Sequence, residues 1–151
     1  MAEANGEDPR IKFIDQLISD CGASGDVLVY NIGFERGKLF DLIEFSPKHK
    51  TPILKIIDRL KDLMVPFRDR AYYTPEMKGS YSIKKVLPAL VPELTYTDLN
   101  IQEGGTASNT FSQMVQGNFE GDLEQTRMDL LAYCKLDTLA MVRILGVLVR
   151  V

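Results

Sequence analysis

Two pairs of polar residues in this chain have the types and spacing that metal-dependent chemistry requires. Tyr133 and Asp137 stand four residues apart, so one face of a helix would carry a phenol and a carboxylate together. Asn31 and Glu35 are also four residues apart and follow the apolar run of residues 27–30. A strand that ends in Asn, turns at a glycine and enters a helix carrying an acid is a common way to build a metal site. The two pairs therefore suggest a divalent-metal nuclease site.

The chemistry of such a site assigns each of the four residues a role. Two-metal nucleases surround a cation pair, roughly 3.5–4 Å apart, with several carboxylates. Magnesium prefers oxygen ligands and keeps waters and phosphate oxygens around it. Glu35 and Asp137 are therefore the predicted metal ligands, and the Tyr133 phenol would orient the attacking water. Asn31 would hold Glu35 in place without touching the metal. The predicted cofactor is Mg²⁺ or Mn²⁺.

The stretches around both pairs resemble motifs of the DEDD-type 3′–5′ exonucleases, in the branch with the tyrosine variant. Asn31-Ile32-Gly33-Phe34-Glu35 resembles the second motif, Asn-x-x-Phe-Asp, and Tyr133-Cys134-Lys135-Leu136-Asp137 resembles the third, Tyr-x-x-x-Asp. Tyr81-Ser82-Ile83-Lys84 is similar to the Tyr-Ser-Leu-Lys segment between them. The resemblance implies a ribonuclease-H-like fold, with helices on both sides of a mixed sheet, and hydrolysis of phosphodiester bonds in DNA or RNA.

From Asp8 onwards the chain looks still closer to a bacterial family of domains of unknown function. The shared stretches are Tyr-Asn-x-x-Phe-Glu, Met-Lys-Gly-Ser-Tyr-Ser-Ile-Lys and Leu-Ala-Tyr-Cys-x-Leu-Asp-Thr-x-Ala-Met. They begin at Tyr30, Met77 and Leu131 in this chain and cover the same residues as the exonuclease-like motifs.

Two departures from the exonuclease pattern set the expectations for activity. Position 35 is Glu rather than Asp, and the extra methylene moves the carboxylate outward. The first motif, Asp-x-Glu on an opening strand, is absent. We therefore expect residues 9–151 to be the C-terminal part of an exonuclease-like domain whose two-metal site is complete only in a longer parent. The chain itself should be inactive or nearly so. The alternative is a catalytically dead module that keeps the fold for binding or scaffolding.

Apolar spacing and capping residues predict a helix-rich α/β fold. Four helices are expected, over residues 9–21, from Phe34 to Ser46-Pro47, from Thr51-Pro52 to Val65-Pro66, and over residues 81–91. Two further helices are expected to begin at Thr106 or Ser108 and at Asp122. Residues 1–8 should be a disordered tail. One strand, residues 27–30, cannot form a sheet alone. Further strands therefore lie near residues 63–70 or 95–101, or the chain is part of a larger fold, or it pairs with a second copy.

The last helix should be the most regular element of the chain. Its predicted inward stripe is Leu123, Leu130, Leu131, Cys134, Thr138, Met141 and Leu145.

Basic residues concentrate in one part of an otherwise acidic chain. The net charge is −3, but residues 48–85 hold ten Lys or Arg against four Asp or Glu. The predicted nucleic-acid contacts are Arg68, Arg70, Tyr72 and Lys78, because cations bind phosphates and aromatic rings stack on bases. A solvated helix face and a long loop packed by its own tyrosines are the alternatives. Asp62 is either a further acid near the site or a member of a surface ion pair.

Other site types and locations fit the sequence poorly. A Ser-His-Asp triad would have to use the single histidine, His49, and no Gly-x-Ser-x-Gly turn supports it. Two distant cysteines and one histidine do not make a zinc site. The N-terminus lacks the parts of a signal peptide and no apolar run is long enough to span a bilayer. We therefore expect a cytoplasmic protein without a membrane partner, in which an exposed sheet edge could favour self-association.

Overall fold

Seven α-helices and two short β-strands make up residues 8–150, the part of the chain that the computed structural model describes. The elements are α1 (Arg10–Cys21), β1 (Val27–Val29), α2 (Ile32–Phe45), α3 (Lys50–Ile57), β2 (Leu60–Asp62), α4 (Val65–Arg68), α5 (Ile83–Leu90), α6 (Gly104–Val115) and α7 (Leu123–Leu148). Short 3-10 turns occupy Pro47–His49 and Pro75–Met77. The fold is therefore a helix-rich α/β arrangement. The predicted tail of residues 1–8 lies, except for Asp8, outside the described residues.

These elements form two compact units, Asp8–Tyr73 and residues 74–150, called here the N-terminal and C-terminal units. In the N-terminal unit β1 and β2 pair in parallel, with Val27 opposite Leu60 and Val29 opposite Asp62. Parallel strands need a crossover connection, and α2 and α3 supply it. The core of this unit comes from α1, α2, α3 and both strands, and consists of Ile14, Val29, Leu39, Ile53, Ile56, Ile57 and Leu60.

An arginine closes the N-terminal unit at the end where β1 begins. The Arg59 guanidinium donates to the main-chain oxygens of Cys21 (3.1 Å), Gly22 (2.9 Å), Gly25 (2.8 Å) and Lys55 (3.2 Å). Carbonyl oxygens at a helix end have no partner within the helix. Arg59 therefore ties the end of α1 and the turn before β1 to the end of α3.

The second strand corrects one sequence prediction. The helix expected from Thr51 to about Met64 ends at Ile57, and residues 60–62 are a strand instead. The apolar positions that predicted one long helix are also those of a short buried strand, and apolar spacing alone does not separate the two. Leu60 turns inward against the core, while main-chain hydrogen bonds join β2 to β1, including Val27 N–H to Arg59 O at 2.9 Å. Within residues 8–150, neither 63–70 nor 95–101 forms a strand.

The C-terminal unit is built around α7, against which α5 and α6 pack. Its buried side chains are Met77, Val86, Leu87, Val91, Tyr96, Ile101, Ala107, Met114, Leu130, Tyr133, Ala140 and Ile144. The helix predicted over residues 81–91 is α5. The sixth helix begins at Gly104, before the predicted Thr106 or Ser108, and Glu103, which precedes it, makes no side-chain cap hydrogen bond. Gly104 and Gly105 are the first two residues of that helix.

The inward face of α7 differs from the predicted stripe. The predicted cap is confirmed, since the Asp122 carboxylate accepts a hydrogen bond from Gln125 N–H at 3.0 Å. The buried residues, however, are Leu130, Tyr133, Ala140 and Ile144, while Leu123, Cys134 and Thr138 are exposed. The buried line advances by three and four residues alternately, and Asp137 lies on it between Tyr133 and Ala140. The apolar pattern did not predict a carboxylate in this row of buried residues on α7.

Among residues 8–150, no helix combines the length and the apolar character that crossing a bilayer requires.

Candidate functional site

The corner between β1 and α2 holds the first predicted pair, in the N-terminal unit. Asn31 adopts a left-handed conformation with φ of 78°, and its carbonyl accepts hydrogen bonds from Phe34 N–H (3.1 Å) and Glu35 N–H (3.3 Å). Asn is one of the few residues other than glycine that tolerates this conformation. The Asn31 side-chain oxygen lies 3.6 Å from where a Cβ would stand at Gly33. The predicted strand, turn and acid-bearing helix are thus present, with Glu35 in the first turn of α2.

Asp62 is the residue that fixes this corner. Its Oδ1 accepts hydrogen bonds from Asn31 N–H (3.0 Å) and Met64 N–H (2.9 Å), and its Oδ2 accepts one from Ile32 N–H (3.0 Å). A carboxylate at the first turn of a helix satisfies amide groups that have no partner in the helix and interacts favourably with its dipole. Asp62 therefore satisfies the main-chain amides at the start of α2. Within residues 8–150, Asp62 makes no ion pair of the kind weighed from the sequence.

The second predicted pair lies on one turn of α7, in the C-terminal unit. Tyr133 is 7% exposed, and Asp137 is half-buried one turn further on. The Asp137 Oδ1 accepts a hydrogen bond of 2.6 Å from the hydroxyl of Tyr96, which is itself 4% exposed. The Tyr96 and Tyr133 rings lie 6.1 Å apart, centroid to centroid, at an interplanar angle of 54°. One carboxylate thus stands between two buried tyrosines.

Burial and a neighbouring carboxylate raise the pKa of one tyrosine in each unit, Tyr30 and Tyr133. Burial and then the neighbouring Asp137 charge raise the pKa of Tyr133 well above its ordinary value, and a hydrogen bond to that carboxylate acts in the same direction. Burial, together with the Asp62 charge, raises the pKa of Tyr30. Both effects follow from disfavouring a phenolate in a poorly solvated place beside a negative group. At neutral pH, Tyr133 can therefore donate a hydrogen bond but does not act as a base.

A lysine and a glutamate flank the tyrosine pair. Lys84 Nζ lies 2.5 Å from Glu103 Oε2 and 5.9 Å from the centroid of the Tyr96 ring. Glu103 immediately precedes α6, and a Cβ at the next residue, Gly104, would lie 3.3 Å from the Tyr133 hydroxyl oxygen. That distance is tighter than most real Cβ contacts, so glycine at the start of α6 leaves room for the Tyr133 hydroxyl.

The four predicted nucleic-acid contacts divide between the two units. In the N-terminal unit Arg68 is exposed and pairs with Asp69 at 2.9 Å, and Arg70 is exposed with a left-handed φ of 58°. Tyr72 is half-buried and packs edge-on against Phe67, with 5.9 Å between ring centroids. In the C-terminal unit Lys78 is exposed and also left-handed, with φ of 51°. The alternative of a loop packed by its own tyrosines therefore holds for Tyr72, which packs against Phe67.

A Ser-His-Asp line does occur, although not as a catalytic triad. Ser46 Oγ lies 2.8 Å from His49 Nδ1, and His49 Nε2 lies 3.2 Å from Asp15 Oδ1. Ser46 is only 5% exposed, so its hydroxyl is not open to a substrate. The imidazole joins the end of α2 to α1, which is a structural role.

The two sequence-predicted pairs keep their local geometry, each in its own unit. Asn31 and Glu35 come together in the N-terminal unit, and Tyr133 and Asp137 in the C-terminal unit. Sequence reasoning missed the anchoring role of Asp62 and gave no role to Tyr96. The available signal for Asp62 was an acid directly after Leu60-Lys61, at the carboxyl end of an apolar segment. No local signal marked Tyr96, whose partner is 41 residues away.

A comparison with protein families decides what kind of chain this is. The family described as Domain of unknown function (DUF2779) matches residues 1–82, which is more than half of the sequence. The chain belongs to this family. The match includes the whole described N-terminal unit, with Asn31, Glu35 and Asp62, and ends just before α5.

Two curated proteins are similar to this DUF2779 chain over most of its length. One is "Uncharacterized protein UU173" of Ureaplasma parvum serovar 3, which is 29% identical over 82% of the chain and 20% of the relative. The other is "Uncharacterized protein MG366 homolog" of Mycoplasma pneumoniae, which is 29% identical over 78% of the chain and 19% of the relative. The chain spans about a fifth of the length of these relatives. No solved structure matches it.

The described residues of this DUF2779 chain do not by themselves assemble a metal site. Within residues 8–150, no three His, Cys, Asp or Glu side chains come together in a way that could hold an ion. Asp137 accepts the Tyr96 hydrogen bond on one oxygen, and an ionised carboxylate has about four lone-pair positions, so it retains the capacity to bind a cation. Oxygen donors of this type suit Mg²⁺ or Mn²⁺.

Proposed function

We propose that this chain is part of a ribonuclease-H-like 3′–5′ exonuclease domain that hydrolyses phosphodiester bonds of DNA or RNA in a longer parent protein. The observation that carries the proposal is the β1–α2 corner beside a parallel strand. It places Asn31 and Glu35 after β1, where the carboxyl end of the neighbouring β2 presents Asp62. Sites in open α/β sheets lie at the carboxyl ends of strands. Tyr133 and Asp137, one turn apart on α7, add a second pair of the expected types.

Each residue has a role in the proposed reaction that agrees with its surroundings. Glu35 in the N-terminal unit and Asp137 in the C-terminal unit would each supply an oxygen ligand to Mg²⁺ or Mn²⁺, which when bound would polarise the scissile phosphate and activate water. Asn31 holds the first turn of α2 through its carbonyl and so orients Glu35. The Tyr133 hydroxyl stays protonated and bonded to Asp137, so its oxygen would orient a water molecule by accepting a hydrogen bond.

Exposed cations supply the proposed nucleic-acid contacts. Arg68, Arg70 and Lys78 would bind backbone phosphates, which gives affinity without base specificity. Arg70 and Lys78 hold left-handed backbone positions, where glycine would cost less, and both side chains are exposed. Tyr72 would offer only part of its ring for stacking, because one side contacts Phe67.

A catalytically dead binding module is the second candidate, and two observations favour it. Glu35 stands where the resembled motif has Asp. Asp137 is already hydrogen-bonded to Tyr96 at 2.6 Å, which gives this carboxylate a structural role without a metal. In that case the exposed cations would bind nucleic acid while no bond is cleaved.

The two candidates differ in metal-dependent cleavage by the full-length parent. The substrate is a 5′-labelled single strand of DNA or RNA, incubated with Mg²⁺ or Mn²⁺. We expect mononucleotides to be released from the 3′ end, and Asp137→Asn to slow this by about a hundredfold or more. Glu124→Gln, which changes an exposed acid on the same helix, serves as the control.

The binding candidate has its own signature in the same experiment. If the wild-type parent releases nothing with either metal, or if Asp137→Asn cleaves as fast as the wild type, the exonuclease proposal is wrong. Salt-dependent retention of the labelled strand without cleavage, reduced by Arg70→Ala and Lys78→Ala, would then establish the binding module.

A further inference from the structure

The side of α7 opposite its buried residues is also apolar. The buried residues of this helix are Leu130, Tyr133, Ala140 and Ile144. Each residue of an α-helix is rotated by about 100° from the one before, so side chains two positions from a buried one lie on the opposite side. The residues of that opposite side, called here the outer face, are Met128, Leu131, Lys135, Leu139, Val142 and, just after the helix, Val149.

The apolar side chains at the ends and middle of the outer face are open to solvent. Met128 is 62% exposed, Val142 60% and Val149 72%. A helix that packs against its own unit on one side normally carries polar residues on the other, and a helix that is apolar all round is normally buried all round. The outer face of α7 therefore has the composition of a surface that packs against another one.

We infer that the outer face of α7 is the contact surface between two copies of this chain, whose α7 helices pack antiparallel. The inference does not rest on the proposed function, because the outer face lies on the side of the helix opposite Tyr133 and Asp137. It also does not involve the sheet edge of the N-terminal unit.

The charges at the two ends of the outer face favour a second copy as the occupant. Glu124 and Arg150 are both exposed, one near the start of α7 and the other just after its end. An antiparallel pair with Met128 beside Val149 of the second copy brings Glu124 within about one turn of Arg150 of that copy. Twofold symmetry repeats this pairing of opposite charges at the other end of the interface.

The charge in the middle of the outer face excludes the parallel arrangement. In a parallel pair Lys135 would meet Lys135 of the second copy, and Glu124 would meet Glu124, and like charges so placed are destabilising. In the antiparallel pair Lys135 lies beside Val142 of the second copy. Its methylene groups can then cover apolar surface while the ammonium group stays in water.

A glycine on the same side of α7 leaves room for a second helix. Gly146 lies within the helix, where glycine is less stable than alanine. A Cβ at this position would meet nothing within 4 Å in the described part of the chain, so the single chain gives no reason for the glycine. In the antiparallel pair Leu131 of the second copy faces Gly146, so a large side chain packs where a side chain is missing.

The length of the outer face sets the expected affinity. From Met128 to Val149 it extends about 32 Å at the rise of an α-helix. One pair of helices over this length gives an interface on the order of 1,000 Å², at the lower end of specific interfaces. We therefore expect a dimer with a dissociation constant on the order of 10 μM.

The test measures the mass of the 151-residue chain by analytical ultracentrifugation over a range of micromolar concentrations. We expect a reversible monomer–dimer equilibrium. Val142→Glu should raise the dissociation constant at least tenfold, because it would bury an unpaired carboxylate at the interface. Leu123→Glu is the matched control, since Leu123 is a 52% exposed apolar residue of the same helix on a different side. Met128→Glu repeats the test at the end of the face, should Val142→Glu fold poorly.

Disulfide cross-linking tests the direction of packing. Met128→Cys and Val149→Cys are each made in a Cys134→Ser background, because Cys134 is exposed on α7. We expect the mixture of the two variants to form a mixed disulfide-linked dimer under mild oxidation, whereas each variant alone cross-links poorly. In a parallel pair each variant alone would cross-link instead.

Each contrary outcome overturns the inference. A chain that stays monomeric throughout the concentration range has an outer face that no second copy covers, and a segment of the longer parent would then be its occupant. A dimer that Val142→Glu and Met128→Glu leave intact, or that Leu123→Glu weakens as much, forms through another surface. Cross-linking of the single variants in place of the mixture refutes the antiparallel arrangement.

Discussion

Replacing Asp62 by asparagine removes a charge from the β1–α2 corner without changing the size of the side chain. The amide oxygen can still accept hydrogen bonds from Asn31 and Met64 N–H. The amide nitrogen then stands where Oδ2 was, facing the N–H of Ile32, so two donors meet. The flipped amide is worse, because its nitrogen would face two N–H groups.

The structure allows a magnitude for this change. One hydrogen bond is lost and its N–H group is left without a partner, which costs about 1–3 kcal/mol. Two further bonds change from charged to neutral, and the favourable interaction of a carboxylate with the start of α2 is lost, which is worth about 0.3–1 kcal/mol. The corner is only partly buried, so the lower end of each range applies. We expect Asp62→Asn to lower the free energy of unfolding by about 1.5–2 kcal/mol.

Two measurements check this expectation. Urea unfolding of the 151-residue chain, followed by circular dichroism, gives the change in free energy. Amide hydrogen exchange gives its location, because Asn31, Ile32 and Met64 should lose protection first. Asp26→Asn, which changes an exposed acid in the turn before β1, is the control. If Asp62→Asn stays within about 0.5 kcal/mol of the wild type and the three amides keep their protection, the role given to Asp62 is refuted.

Three further expectations concern stability. Because folding raises the pKa of Tyr30 and Tyr133, their contribution to the free energy of unfolding is complete below about pH 10 and is lost as the pH rises further. Unfolding measured at increasing alkaline pH checks this. Asp137→Asn should make the free energy of unfolding fall less steeply with pH. Arg59→Ala should cost about 2 kcal/mol in urea unfolding and Arg59→Lys should restore little, because an ammonium lacks the fork that reaches several carbonyls. Asp122→Ala should cost about 1 kcal/mol by the same assay, whereas Asp122→Ser should keep the cap of α7.

The parts of the fold that follow from short stretches of chain could be predicted from the sequence. Apolar spacing placed α1, and an apolar run followed by Asn and Gly placed β1 and the start of α2. The Asp122 cap of α7 needs only a hydrogen bond to Gln125, three residues on. In each case the residues that decide the structure are neighbours in sequence.

The parts that depend on distant partners could not be predicted. Residues 60–62 form a strand because β1 lies beside them, and nothing within the three residues themselves requires it. Asp137 lies on the buried line of α7 because a tyrosine 41 positions earlier supplies a hydrogen bond. A carboxylate normally marks the outer face of a helix, so the stripe drawn from apolar residues alone was rotated away from the true one. The candidate site was thus predictable as two local pairs, but the side chains that hold each pair were not.

The attachment of Asp62 to the opposite strand end has a consequence for how variation in this region can be tolerated. Successive side chains of a strand point to opposite faces, so sliding β2 by one position would turn Leu60 and Asp62 over together. The carboxylate would leave the amides of Asn31 and Ile32, and the first turn of α2 would lose its anchor. The orientation of Glu35 therefore depends on the register in which β1 and β2 pair. Insertions between α3 and β2 that keep this register should leave the fold stable. Insertions that shift the register should destabilise it.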